Sequence, residues 1–303
     1  MAKIKGNKKG NKLKGTKQAD KIAGLGGDDV LKGKAGDDKL LGGAGRDRLD
    51  GGDGNDILKG GAGDDIMIAG PGGDLFDGGA GIDTVSFADN PYAISLELLL
   101  QTETFGGLQD AFRGIENIDG SAFGDTIEGD GGNNHFRGLG GNDVLKGGDG
   151  NDVLDGGEGD DQVHSDDGAD QLIGGNGYDS LVYEKAGSGA VIDLAAGTGG
   201  GSAAGDTFSG FERVFATQHV DRVNGTGAAE AFFGEGGNDK LFGGDGNDTL
   251  FGGSGLDDLY GGANDDWLVP GSDVAEADFI NGGSGNDWVD YDDAGGVVTV
   301  NLR

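Results

Sequence analysis

Along most of the chain a lone apolar residue returns every nine positions, set between outward-leaning neighbours and a glycine-rich gap. Read from Gly42, the units are GGAGRDRLD, GGDGNDILK, GGAGDDIMI, AGPGGDLFD and GGAGIDTVS, giving the consensus G-G-x-G-x-D-x-U-x with U apolar. In this register there are nine units over 6–86, seven over 120–182 and eight over 216–290, 24 in all. Position eight is apolar in every unit. Positions seven to nine therefore predict a short strand, with position eight on one face and its neighbours on the other. In the first block that face carries Leu31, Leu40, Leu49, Leu58, Met67, Phe76 and Val85. Self-similarity at a fixed short period means a repeat architecture, not an ordinary globular domain.

A longer period lies over the short one. Residues 87–119 and 183–215 are both 33 residues long, open on an aromatic and a short alternating run (Ile94, Leu96, Leu98; Ile192, Leu194), and close on FRGIENI or FSGFERV. Gly24, Gly120 and Ala216 are thus equivalent starts, 96 residues apart. The expected layout is a basic segment with two degenerate repeats (1–23), then block 1 (24–86) and a spacer (87–119). Block 2 (120–182), a second spacer (183–215) and block 3 (216–290, with an insertion at 270–272) follow. The last residues, 291–303, match only the start of a third spacer, which suggests a piece of a longer array.

Composition narrows the field. Of 303 residues 71 are Gly, 55 are Asp or Glu, 22 are Lys or Arg and none is Cys, for a net charge of -33. Gly falls short of one third and has no three-residue period, which excludes collagen. No apolar stretch approaches the ~20 residues of a membrane helix, and no apolar core follows the basic N-terminus to make a signal peptide. Without Cys there is no disulfide framework or thiol nucleophile. Like charge disfavours nucleic acid as a partner. Cations are what this composition calls for.

Position six supplies the chemistry. It is Asp in 21 units, the exceptions being Asn11, Asn134 and Glu230. Carboxylates beside glycine-turn carbonyls, without His or Cys, make hard-oxygen sites suited to Ca²⁺. The candidate ligands are Asp20, Asp29, Asp38, Asp47, Asp56, Asp65, Asp74 and Asp83; Asp125, Asp143, Asp152, Asp161, Asp170 and Asp179; and Asp221, Asp239, Asp248, Asp257, Asp266, Asp278 and Asp287. The inward apolar side chains are too few to offset the ordering of so glycine-rich a chain. Metal binding is therefore expected to be coupled to folding.

This pattern resembles the RTX (repeats-in-toxin) nonapeptide family, whose motif is also a standard example of a calcium-binding β-helix repeat. The resemblance implies an all-β fold: a calcium-bound parallel β-roll with two nonapeptides per coil, here in three blocks joined by two spacers. It also implies ions shared between the position-six Asp of units n and n+2. Asp38 would then pair with Asp56, Asp47 with Asp65, Asp56 with Asp74, Asp143 with Asp161, Asp152 with Asp170, Asp239 with Asp257 and Asp248 with Asp266. Such pairing allows at most 18 ions within the blocks, 15 of them between two Asp, so roughly 12–18 Ca²⁺ are expected. Gln18, Phe123, His219, Ala228 and Glu276 replace the position-four Gly, so those turns should bind poorly or only cap a block. The insertion at 270–272 puts the pairs 257–278 and 266–287 in doubt.

Other features carry less. Eight Lys among residues 1–21 suit a solubilising tail more than an anionic contact. Phe242, Phe251, Tyr260, Trp267 and Trp288 project outward in block 3, where packing on a spacer is a plainer use than binding an extracellular glycan or protein. His135, His164 and His219 share no repeat position, and HExxH, GxSxG and DxDxDG are absent, so no catalytic pair is nominated and no enzyme is expected. The family resemblance implies type I export from a Gram-negative cell and folding in extracellular calcium. The expectation is a secreted calcium-binding structural or interaction element. The alternatives are a non-catalytic module of a longer secreted enzyme and a segment of an adhesin.

Overall fold

The computed structural model describes residues 1–98, 102–105, 108–183, 185–271 and 278–291. Among these residues all regular structure is β, in 33 short strands. Strands begin at position seven, and the longer ones, such as Val30–Ala35, Lys39–Ala44 and Arg48–Asp53, run on into the next unit. Each pairs in parallel with the strand two units away at an 18-residue register: Leu31 with Leu49, Leu40 with Leu58, Leu58 with Phe76. Alternate units thus build two parallel sheets, and two nonapeptides make one coil. The position-eight side chains Leu31, Leu40, Leu49, Leu58, Met67, Phe76 and Val85 are fully buried. That lone apolar column on each sheet is the core.

The coils fall into two compact units, one of Met1–Gly148 with Asp155–Glu158, the other of Asp149–Leu154 and the residues after Glu158. In the first unit the basic segment is built into the roll. Lys3–Lys5, Lys12–Lys14 and Lys21–Ala23 are strands, with Ile4 paired to Ile22 and Leu13 to Leu31. The flanking lysines occupy exposed positions seven and nine, so this end has three degenerate turns where the repeat pattern predicts two.

The spacers, too, belong to the sheets. Ser95–Glu97 lies parallel to Thr126–Glu128, and Leu108–Arg113 lies parallel to Leu75–Ala80. Thr102–Phe105 runs antiparallel to both spacer strands, between them. Asn117–Asp119 bridges Thr84–Ser86 and His135–Gly140. The second unit repeats this with Ala190–Asp193, the antiparallel Thr198–Gly201, Thr207–Ser209 and Arg213–Phe215. The cause is visible in the inward residues. Phe112 pairs with Phe76, Ile118 with Val85, Phe208 with Leu172 and Val214 with Leu181, so each spacer keeps the position-eight column filled.

The insertion is absorbed likewise. Leu259 pairs with Ile280 and Trp267 with Trp288, a register of 21 residues in place of 18. Residues 272–277, which include Glu276, and residues 292–303, where the start of a third spacer is expected, lie outside the described residues.

Candidate metal sites

Position six closes each turn and opens each strand, and the fold buries it. Asp29, Asp38, Asp56, Asp65, Asp83, Asp179, Asp239 and Asp248 all lie in the interior. Within a block, the main-chain N–H of one Asp donates to Oδ1 of the Asp one coil later. Asp38 donates to Asp56 (2.7 Å), Asp47 to Asp65 (2.8 Å), Asp56 to Asp74 (2.8 Å), Asp152 to Asp170 (2.9 Å), Asp239 to Asp257 (2.8 Å) and Asp248 to Asp266 (2.9 Å). Asp143 belongs to the first unit and Asp161 to the second. Across the insertion Asp257 donates to Asp278 (3.0 Å) and Asp266 to Asp287 (3.2 Å). Both doubted juxtapositions therefore form, because the three extra residues leave the strand register intact.

The second oxygen is left over. Oδ2 of Asp29, Asp38, Asp47, Asp56, Asp65 and Asp83 in the first unit, and of Asp179, Asp239, Asp248 and Asp266 in the second, is buried with no hydrogen-bond donor. A buried carboxylate oxygen left unpaired is costly, so a row of them asks for a cation. The glycines frame the same space. A Cβ added to Gly42, at position one, would strike Asp47 Oδ2 and lie 2.7 Å from the carbonyl oxygen of Gly60 one coil on. Positions two and four need glycine for another reason, their positive φ: +124° at Gly43 and +123° at Gly45.

Electrostatics agree with this geometry. Burial raises the Asp47, Asp56, Asp83, Asp170 and Asp179 carboxyls to about 6, those of Asp65, Asp74 and Asp248 to about 7, and that of Asp239 to about 8. The accepted amide bond opposes the rise in each case, and neighbouring carboxylates add to it. Among the described residues no three His, Cys, Asp or Glu side chains cluster closely enough to hold a metal by themselves. The donor set is instead paired carboxylates with main-chain carbonyls, hard oxygen throughout, which fits Ca²⁺ and not zinc or copper. When bound, calcium would supply the positive charge that lets the paired carboxylates remain ionised in the interior.

Not every turn is built this way. In four units lacking the position-four Gly, a Ser or Thr at position two caps the carboxylate. Thr16 caps Asp20 through N–H (2.7 Å) and hydroxyl (2.8 Å), and Ser121 caps Asp125 through N–H (2.6 Å) and hydroxyl (2.9 Å). Thr217 caps Asp221 (2.8 and 2.9 Å), and Thr226 caps Oε1 of Glu230. Main-chain donors from Ala2 and Thr16 hold the Asp20 carboxyl below its ordinary range. These are the turns of Gln18, Phe123, His219 and Ala228. At Asp20, Asp125 and Asp221 protein donors stand where other turns present a bare oxygen, whereas Oε2 of Glu230 stays buried without a donor.

Two further sets of residues lie outside the sequence expectation. Position five, written x in the consensus, carries a second ladder: Asp28, Asp37, Asp64 and Asn238 accept the N–H of Arg46 (2.9 Å), Asn55 (3.0 Å), Ile82 (3.1 Å) and Leu256 (3.0 Å) one coil later. The recurrence of Asp or Asn at position five was its readable signal. The other set lies in the spacers. Asp74 N–H donates to Asp110 (2.6 Å), Asp83 to Glu116 (2.8 Å), Asp170 to Asp206 (2.9 Å) and Asp179 to Glu212 (2.9 Å). Asp206 is itself capped by the hydroxyls of Tyr183 (2.5 Å) and Ser165 (3.0 Å).

The outward aromatics stack on one another. Phe215, Phe233 and Phe251 form one ladder with centroids 4.7 and 4.6 Å apart, beginning on the spacer's last residue. Phe242 and Tyr260 stack at 4.7 Å on the other sheet, with Arg222 over Phe242. Trp267 and Trp288 remain exposed.

No curated protein matches the chain. The profile of the RTX calcium-binding nonapeptide repeat matches it at residues 6–40, 14–49, 23–58, 50–85, 110–145, 146–181, 233–268 and 275–294, together well over half its length. With the parallel roll and its buried carboxylate rows already in place, the chain belongs to the family of RTX calcium-binding repeat proteins.

Proposed function

We propose that this calcium-binding repeat protein is secreted, folds when it meets extracellular Ca²⁺, and serves without catalysis as a structural or interaction element outside the cell. The observation that carries the reading is the row of buried, donorless Oδ2 atoms of Asp29, Asp38, Asp47, Asp56, Asp65 and Asp83, and again of Asp239, Asp248 and Asp266. A fold that needs a cation to satisfy its interior is stable only where the cation is abundant. Calcium is scarce in cytosol and plentiful outside, so such a chain suits export before folding. The ligands proposed are the 21 position-six Asp, with Asp20, Asp125 and Asp221 the weakest because Thr16, Ser121 and Thr217 already serve them.

The test is a calcium titration of metal-stripped protein, followed by far-UV circular dichroism with bound ions counted in parallel. The expected outcome is a cooperative rise in β signal with roughly 12–18 ions bound, as coupled folding and hard-ion binding require. A chain already β-rich in chelator would overturn it. Location is tested separately, by assaying the producing culture for intact protein. Finding it only in the cytoplasm would defeat the export reading.

A further inference from the structure

Each spacer contains a turn that imitates a repeat while breaking its length. From Phe112 to Ile118, the inward residues of two successive strands, the chain takes six residues where a repeat takes nine, and the same holds from Phe208 to Val214. The segments are Gly114-Ile115-Glu116 and Gly210-Phe211-Glu212. Their strands nevertheless stay in register, Ile118 on Val85 and Val214 on Leu181. Glu116 Oε2 accepts the Asp83 N–H at 2.8 Å, and Glu212 Oε2 accepts the Asp179 N–H at 2.9 Å. Each glutamate thus does what a position-six Asp does elsewhere. Its extra methylene gives the reach that a turn shortened by three residues calls for.

We propose that Glu116 and Glu212 are calcium ligands, each completing a non-repeat site with the preceding block's last Asp and a spacer carbonyl. The first site joins Asp83 Oδ2, the Gly114 carbonyl and Glu116; the second joins Asp179 Oδ2, the Gly210 carbonyl and Glu212. Asp83 and Asp179 are both fully buried, and the Oδ2 of each has no donor. A Cβ added to Gly78 would strike both Asp83 Oδ2 and the Gly114 oxygen, so the two converge on one space, as at Gly42. At Gly174 a Cβ would strike the Gly210 oxygen and lie 2.9 Å from Asp179 Oδ2. A cleft of about 130 Å³ is lined by two residues of the first site, Gly114 and Glu116, together with Asp130 and Asn134 among others. Asp206 marks the contrast. Its oxygens are taken by the Asp170 N–H and by the Tyr183 and Ser165 hydroxyls, so a spacer carboxylate is not a ligand merely by being acidic.

The inference rests on the calcium-binding reading above, and the experiment separates the two. Full-length wild type, Glu116→Gln, Glu212→Gln and the double variant are saturated with Ca²⁺, and bound ions per chain are counted beside far-UV circular dichroism. Gln keeps a carbonyl oxygen to accept the Asp83 or Asp179 N–H, so the β signal of the loaded protein should persist. Each single substitution should cost one ion, and the double substitution two. An unchanged count would overturn the inference, leaving the glutamates as amide caps. Loss of several ions together with the β signal would overturn it as well, assigning them to folding. A wild-type chain that binds no calcium would overturn the reading beneath.

Discussion

At the scale of single residues, the repeat assigns each glycine a different duty, and the departures test this. Leu25, Lys34, Leu139 and Glu235 sit at position two with φ of 91°, 97°, 76° and 68°, where a side chain is strained. Replacing Lys34 or Leu139 with Gly should relieve about 1 kcal/mol, seen as a lower calcium midpoint for folding. The caps are a second residue-scale device. Thr217→Val leaves the buried Asp221 without its hydroxyl donor and should cost about 1–3 kcal/mol, read as a lower melting temperature of the calcium-loaded protein. The position-six carboxylates were legible in the sequence because their spacing is constant. The caps were half legible: loss of the position-four Gly showed, but that Thr16 or Ser121 would turn its hydroxyl back on the carboxylate needed coordinates.

Elements extend the same logic, since a strand here is defined by what its two neighbours on the sheet share with it. Asp56 lies between Asp38 and Asp74 and is thereby a member of two pairs, whereas Asp20 is already capped by Thr16. Asp56→Asn should remove two ions from the saturated count, and Asp20→Asn, at a weaker site in a single pair, at most one. Equilibrium dialysis with metal analysis distinguishes these outcomes. The spacers show why sequence reading stopped where it did. FRGIENI and FSGFERV were recognisable as kin, yet the six-residue step from Phe112 to Ile118 breaks the nine-residue count on which Glu116 would have been found. What the structure adds is that register belongs to the strands and not to the turns. Three residues can leave a turn at Gly114, or be added between the strands Trp267–Gly271 and Phe279–Ser284, while the ladder stays whole.

For the whole molecule, charge sets the conditions for folding. Acids raised to between about 6 and about 8 in the fold, against about 3.9 when unfolded, make the metal-free fold bind more protons than the unfolded chain. Their contribution to stability is thus full below pH ~4 and lost as pH rises through about 6 to 8. Chelated protein should show more β signal at pH 5 than at pH 8. Calcium reverses the dependence, because an ion and a proton compete for the same oxygens. Its midpoint concentration should rise as pH falls from 8 to 5, and binding at pH 6.5 should release protons, measurable by calorimetry in buffers of different ionisation enthalpy. The overall charge of -33 pointed to cations from composition alone. That protons would be the competitor follows only from burial.

Two nonapeptides per coil also give the chain a parity. Excising eighteen residues within a block removes one coil and returns every later strand to its own sheet. Excising nine exchanges the sheets from the cut onward. The core is indifferent to the difference, since position eight points inward on either side. The outer surface is not: removing 234–242 would set Tyr260, rather than Phe251, in line behind Phe233. The array can therefore change length freely in even steps, while an odd step rewrites its exterior and leaves its interior unaltered.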